Sequence, residues 1–141
     1  MKKTYLIALT LLFAMKASAT VTLDILGGYL KDASGNLMPT TGLVLLVAST
    51  TDSTFTAPTP SAFVSGDDII IGKWDLSGTG EPGVLSDLTT MALSGNWNFG
   101  DALQLYWFPT LTLAAISPGP GTPYGKYRTD TTLDGGSPWT T

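Results

Sequence analysis

The chain of 141 residues contains no histidine, no cysteine and only seven lysines and arginines. Without histidine or cysteine, a Ser-His-Asp triad, a Cys-His nucleophile pair and any zinc or copper centre built on those ligands are closed. The missing thiols also remove disulfide staples, so stability has to come from burial and strand pairing. A resident metal would have to be held by oxygen alone, which points to calcium and away from softer ions. The few basic residues form no patch, which argues against nucleic acid as a partner. No phosphate-cradling loop is present either: "GGYLKDASG" is not followed by Lys-Ser/Thr and opens no helix.

The N-terminal nineteen residues, "MKKTYLIALTLLFAMKASA", place Lys2 and Lys3 before an apolar run from Tyr5 to Met15 and end on Ala17-Ser18-Ala19. That order is the pattern of a secretory signal peptide. The run is about half of the roughly 20 residues that a membrane-spanning helix needs, so a permanent anchor is the weaker reading. Cleavage is expected before Thr20, with the protein exported to the periplasm, cell surface or medium. Three of the seven cations lie in this leader and all eleven acids lie beyond it, so residues 20–141 carry four cations against eleven acids, a net of −7. They are enough for one domain with its own core.

What is present beyond the leader is β-forming. Thr, Val, Ile and aromatic residues recur in short bursts separated by Gly, Pro, Asn, Asp and Ser, and no window shows a helical stripe. "TVTLDIL" alternates Val21, Leu23 and Ile25 against Thr22, Asp24 and Leu26, the period of a half-buried strand. "GLVLLVAST" is apolar from Leu43 to Ala48 and predicts a central strand covered on both faces. "TDSTFTAPTPSAF", with Pro58 and Pro60, reads as a long loop across one end of a sheet. In "DDIIIGKWDL", strict alternation puts Ile70, Trp74 and Leu76 on the core face and Ile69, Ile71, Lys73 and Asp75 opposite. "NFGD" is expected to break a hairpin between two further strands, the second being "ALQLYWF", with Leu103, Leu105 and Trp107 on one face and Gln104, Tyr106 and Phe108 on the other. A short last strand is expected near Tyr124 to Arg128. Five to seven strands without helices predict an all-β fold, an antiparallel β-sandwich of Ig-like or jelly-roll-like kind.

Three readings of chemistry remain. Asp67 and Asp68 are candidate calcium ligands, because strand-end carboxylates and loop carbonyls supply the oxygens that calcium prefers. The competing reading makes them the polar mouth of a strand, with the side chains pointing apart if both residues belong to it. "KDASGN" starts like a calcium loop but has Leu37 where glycine is needed, so an Asx turn is expected there. Hydrolysis of glycosides by two carboxylates needs no histidine, and its candidates are Asp67, Asp68, Asp75, Glu81, Asp87 and Asp101, each of which also reads as a turn or strand-end residue. Trp97, Tyr106 and Phe108, with Trp107 and Tyr124, are candidates for a flat platform that stacks on sugar rings; the competing reading makes most of them core.

The stretches "LKDASGNLMPTTGLVLLVASTTDSTFTAPTPSAFVSGDDIIIGKWDL", "LSGNWNFGDALQLYWFPTL" and "GTPYGKYRTD" resemble uncharacterised secreted bacterial proteins of the PEP-CTERM-associated kind. The resemblance implies a β-rich surface or envelope protein of exopolysaccharide-producing cells, and it brings no catalytic residue with it. The Pro-Glu-Pro motif, terminal apolar helix and basic end of that kind are missing, so the chain is expected to be either freely secreted or cut short at its C-terminus. The expectation is a non-enzymatic secreted or matrix-type protein without a cofactor, with glycan or calcium binding as the alternative. Extracellular polysaccharide or other envelope components are the expected partners, and self-association through an open sheet edge is expected if strands are missing.

Overall fold

Leu43–Ser49 is buried at every one of its seven positions, which an extended chain achieves only with a layer on each face. The rest of the architecture follows from that requirement. The structure, a computed structural model, describes residues 19–93 and 97–128. It contains six strands and, among the described residues, no helix: β1 Thr20–Gly27, β2 Leu43–Ser49, β3 Asp68–Trp74, β4 Leu85–Ala92, β5 Ala102–Phe108 and β6 Gly125–Tyr127. They form two antiparallel sheets, a ribbon β1-β4 and a four-stranded sheet in the order β3-β2-β5-β6. The all-β sandwich expected from the sequence is the fold observed. The leader expected over 1–19 lies, except for Ala19, outside the described residues.

The ribbon supplies one cover. β1 and β4 alternate, turning Val21, Leu23, Ile25, Leu85 and Met91 inward onto Val44, Leu46, Leu103 and Leu105 of the larger sheet. Thr22 and Thr90 face outward, paired through their hydroxyls at 2.9 Å. The second cover has no regular structure. Leu43, Leu45, Val47, Tyr106 and Phe108 are buried under Phe55, Phe63 and Val64 from the β2–β3 loop and under Leu111 and Ala115 from the β5–β6 loop. Phe63 meets Phe108 edge-on with ring centres 5.1 Å apart. The long proline-bearing loop therefore lies over a face of the sheet rather than across its end, because the outer face of β2 and β5 is itself apolar and has to be covered.

Two further expectations are corrected. β4 and β5 are not a hairpin: β4 pairs with β1 and β5 with β2. The sequence difference explains the separation, since β4 mixes Leu85 and Met91 with Ser, Asp and Thr and suits an outer ribbon, whereas β5 is largely apolar on both faces and suits the centre. In β3 the alternation slips. Leu46 faces Gly72 while Val47 faces Ile70, leaving Ile71 as an extra residue in a bulge. Ile69, Ile71 and Trp74 consequently pack on the ribbon-side core, while Ile70 is 39% exposed and not a core residue. Beyond the bulge Lys73 faces the loop layer, with its ammonium 5.9 Å from the Phe63 ring centre and donating to Ala115 O at 2.8 Å.

Among the described residues the outer strands of the larger sheet are β3 and β6, not the uncharged apolar strands β2 and β5, which pair with each other. A bulge and a lysine on β3 and the three-residue length of β6 blunt those edges.

Candidate functional site

The sheet end where β2 finishes and β3 begins gathers the buried polar groups Ser49, Asp68 and Gln104. The turn before β3 closes with Asp68 N–H on Ser65 O at 3.3 Å, so Asp67 sits in the turn and only Asp68 is in the strand. The two carboxylates therefore do not follow strand alternation. Both turn toward the segment that leaves β2. Asp67 Oδ2 accepts from Thr51 N–H at 2.7 Å and from Ser49 Oγ at 3.2 Å, and Asp67 O accepts from Thr50 Oγ1 at 2.9 Å. Asp68 Oδ2 accepts from Thr56 N–H at 2.7 Å, and Tyr106 Oη donates to Thr56 O at 3.2 Å.

Between these two anchors Asp52 Oδ1 caps Thr54 N–H at 2.8 Å and Ser53 adopts a left-handed φ of 58°. The Ser53 carbonyl accepts from Arg128 Nη1 at 2.9 Å, and the same guanidinium lies 5.3 Å from the Phe55 ring centre. Asp67, Asp68 and Arg128 thus fasten the start of the loop that covers the second core. Nothing in the linear sequence links Arg128 to Ser53, 75 residues away.

The electrostatics of the two aspartates differ. Burial pushes Asp67 up, but hydrogen bonds led by the Thr51 amide, with the Ser49 hydroxyl among them, more than offset it and hold the acid below its ordinary value. Burial also pushes Asp68 up, Thr56 N–H offsets part of that, and the negative charges of Asp67 and Asp52 add to the rise. Asp68 Oδ1 is buried without a hydrogen-bond partner. Tyr106 is pushed up to about 12, first by burial and then by the charge of Asp68. Among the described residues no group of three or more acidic side chains is placed to hold a metal ion. The expected calcium ligands Asp67 and Asp68 are placed as loop anchors.

Of the five platform candidates, Trp97, Tyr106 and Phe108 are corrected to core residues. Trp97, Tyr106 and Phe108 are 5%, 1% and 0% exposed, and Trp97 belongs to the ribbon-side core while Tyr106 and Phe108 belong to the other. No flat exposed face is shared by the three: Tyr106 and Phe108 lie on the doubly covered β5, and Trp97 packs inward from the segment before it, with Nε1 donating to Ala92 O at 3.1 Å. Of the hydrolysis candidates, Asp75 and Asp87 both line one cleft, of about 250 Å³, together with Lys73 and Trp74. Asp75 Oδ1 is occupied there by the N–H and hydroxyl of Ser77. Asp101 caps Asn98 N–H at 2.7 Å in the turn before β5.

A second cleft, of about 330 Å³, opens where the Lys31–Asn36 turn meets the β5–β6 edge, with Lys31, Asp32, Trp107, Pro109, Pro123 and Tyr124 around it. The turn is the expected Asx turn: Asp32 Oδ1 accepts from the N–H groups of Ser34 and Asn36 at 2.9 and 2.8 Å, and Asp32 Oδ2 from Asn36 Nδ2 at 3.1 Å. Hydrogen bonds from the Asn36 side chain and backbone lead the effects that hold Asp32 below its ordinary value. Trp107 Nε1 donates to Lys31 O at 2.9 Å, joining turn and strand. No family model, no curated protein and no solved structure matches the chain.

Proposed function

We propose that the chain is an exported, non-catalytic β-sandwich module serving as a cell-surface or matrix-type protein. The observation that carries this reading is the use made of the acids. Asp32, Asp52, Asp67, Asp68, Asp75 and Asp101 each accept a backbone N–H within their own turn or from the loop they fasten. Carboxylates spent in this way hold irregular loops over apolar faces, which a chain without disulfides needs outside the cell. The leader pattern and the resemblance to PEP-CTERM-associated proteins support export, and β1 begins at Thr20, so removal of residues 1–19 would leave the six described strands intact.

Fractionation of cells expressing the chain with its leader, followed by N-terminal sequencing, tests the reading. Exported protein beginning at Thr20 is expected, and a cytoplasmic product retaining Met1 would overturn it. Glycoside hydrolysis that disappears in both Asp75→Asn and Asp87→Asn would replace the non-catalytic part of the reading with an enzyme centred on the smaller cleft.

A further inference from the structure

We propose that the cleft between the Lys31–Asn36 turn and the β5–β6 edge is a saccharide-binding subsite, in which a pyranose ring lies against Trp107 and Tyr124 and a polar substituent of that ring meets the Lys31 ammonium. Its volume of about 330 Å³ lies at the small end of the range for small-molecule sites, the size for a single ring.

The walls are fixed before any ligand arrives. Trp107 is tethered through Nε1 to Lys31 O, and Tyr124 is wedged against Tyr106 and Phe108 with ring centres 5.8 and 5.7 Å apart. Pro109 and Pro123 add walls whose φ is set by their own rings. Tyr124 keeps 39% of its surface exposed although its neighbours in the core are buried. Preorganised aromatic faces of this kind reduce the ordering cost of binding.

The polar groups define the ligand. The carboxylate of Asp32 accepts from Ser34 and Asn36 and makes no direct bond to the neighbouring lysine, although its negative charge stays at the edge of the cleft. Lys31 lines the cleft, and among the described residues its Nζ makes no hydrogen bond or ion pair. A pyranose presents apolar C–H faces and a polar edge, which matches aromatic walls with one cation beside them. A nucleotide or polyphosphate would need several cations or a helix N-terminus to balance its charge, and neither lines this cleft. The subsite rests on the export reading only for access to extracellular polysaccharide, and binding by the purified chain does not depend on it.

Titration of the purified chain with neutral oligosaccharides and with uronic-acid-bearing ones, followed by calorimetry and tryptophan fluorescence, tests the proposal. Binding is expected that both Lys31→Gln and Tyr124→Ala weaken by about tenfold or more, the scale of one charge-assisted hydrogen bond or one stacking face. A preference for uronates that falls with added salt and is lost in Lys31→Gln identifies a carboxylate on the lysine. Equal binding of both classes identifies a hydroxyl there, and either outcome supports the subsite. Lys31 lies on the surface, so Lys31→Gln is expected to leave the circular dichroism spectrum unchanged, and the test stands even where Tyr124→Ala unfolds. Absence of binding in both classes, or binding untouched by Lys31→Gln and by a folded Tyr124→Ala, would overturn the proposal, whereas failure of export alone would leave it standing.

Discussion

Asp67 and Asp68, consecutive in the chain, hold the two ends of one short loop segment, Asp67 through Ser49 and Thr51 and Asp68 through Thr56. Their surroundings make them opposite contributors to stability. Asp67 is held below its ordinary value of 3.8, so its charged form is favoured by folding. Its stabilisation is complete above that value and is lost as pH falls through the lower, folded one. Asp67→Asn is expected to lower the denaturation midpoint at pH 7 and to lose that effect as acid protonates the wild-type carboxylate. A deficit that is constant between pH 7 and acid would show that the charge is not what matters.

Asp68 runs the other way. Its folded value is raised, so the folded state binds the proton more tightly than the unfolded chain does. Stability from this group is present below 3.8 and is lost as pH rises through the folded value. Asn at 68 keeps an acceptor oxygen for Thr56 N–H and removes the charge. The stability of Asp68→Asn relative to wild type is therefore expected to increase as pH rises from below 3.8 through the weakly acidic range and then to level off. Denaturant titrations at several pH values check this, and a relative stability that falls across the same window would contradict it.

The contrast between these neighbours shows what was legible in the sequence. The unbroken apolar run of β2 announces burial on both faces, and the alternation of β1 announces a one-sided strand, because side-chain period and burial are directly coupled. The bulge at Ile71 was not legible, since it is fixed by the cross-strand register of Leu46 and Val47 and has no local residue signature. The same limit applies to sites. Trp107 and Tyr124 read no differently from Tyr106 and Phe108 along the chain, and only the packing of the β5–β6 edge shows that Trp107, itself packed against the ribbon-side core, and Tyr124 also line the cleft. The Asx turn at Asp32 was readable from local chemistry, whereas its service as a bracket for Trp107 depends on a contact across 76 residues.

Trp107 leans over Gly125, its cross-strand partner, and a Cβ at position 125 would overlap the indole. On the opposite outer strand Trp74 covers Gly72 in the same way. Both edges of the larger sheet thus set a bare backbone beneath a rigid ring, which shields edge hydrogen bonds that a glycine would leave exposed. Gly125→Ala is expected to destabilise by about 1–3 kcal/mol, the usual cost of overpacking. It should also shift tryptophan emission, because the displaced indole loses its bond to Lys31 O. Unchanged melting and emission would mean that the ring is free to move aside.

The two-sided burial of β2 gives the most direct test of the architecture. Leu45 and Leu46 are adjacent, 0% and 1% exposed, and point into different cores: Leu45 toward Phe63 and Phe108 under the loops, Leu46 toward the β1-β4 ribbon. In a sandwich whose larger sheet left its outer face to solvent, only the residue facing the ribbon would matter. Here each side chain fills a packed layer, so Leu45→Ala and Leu46→Ala are each expected to cost about 2–5 kcal/mol. The two losses should add to within about 0.5 kcal/mol if the sheet backbone keeps the layers independent. Pairing Leu45→Ala with Asp67→Asn should instead depart from additivity, because the loop fastened by Asp67 is the one that packs on Leu45. Measured midpoints showing a small cost for Leu45→Ala would mean that the loop layer is loosely held, and with it the role given to Asp67, Asp68 and Arg128 would fall.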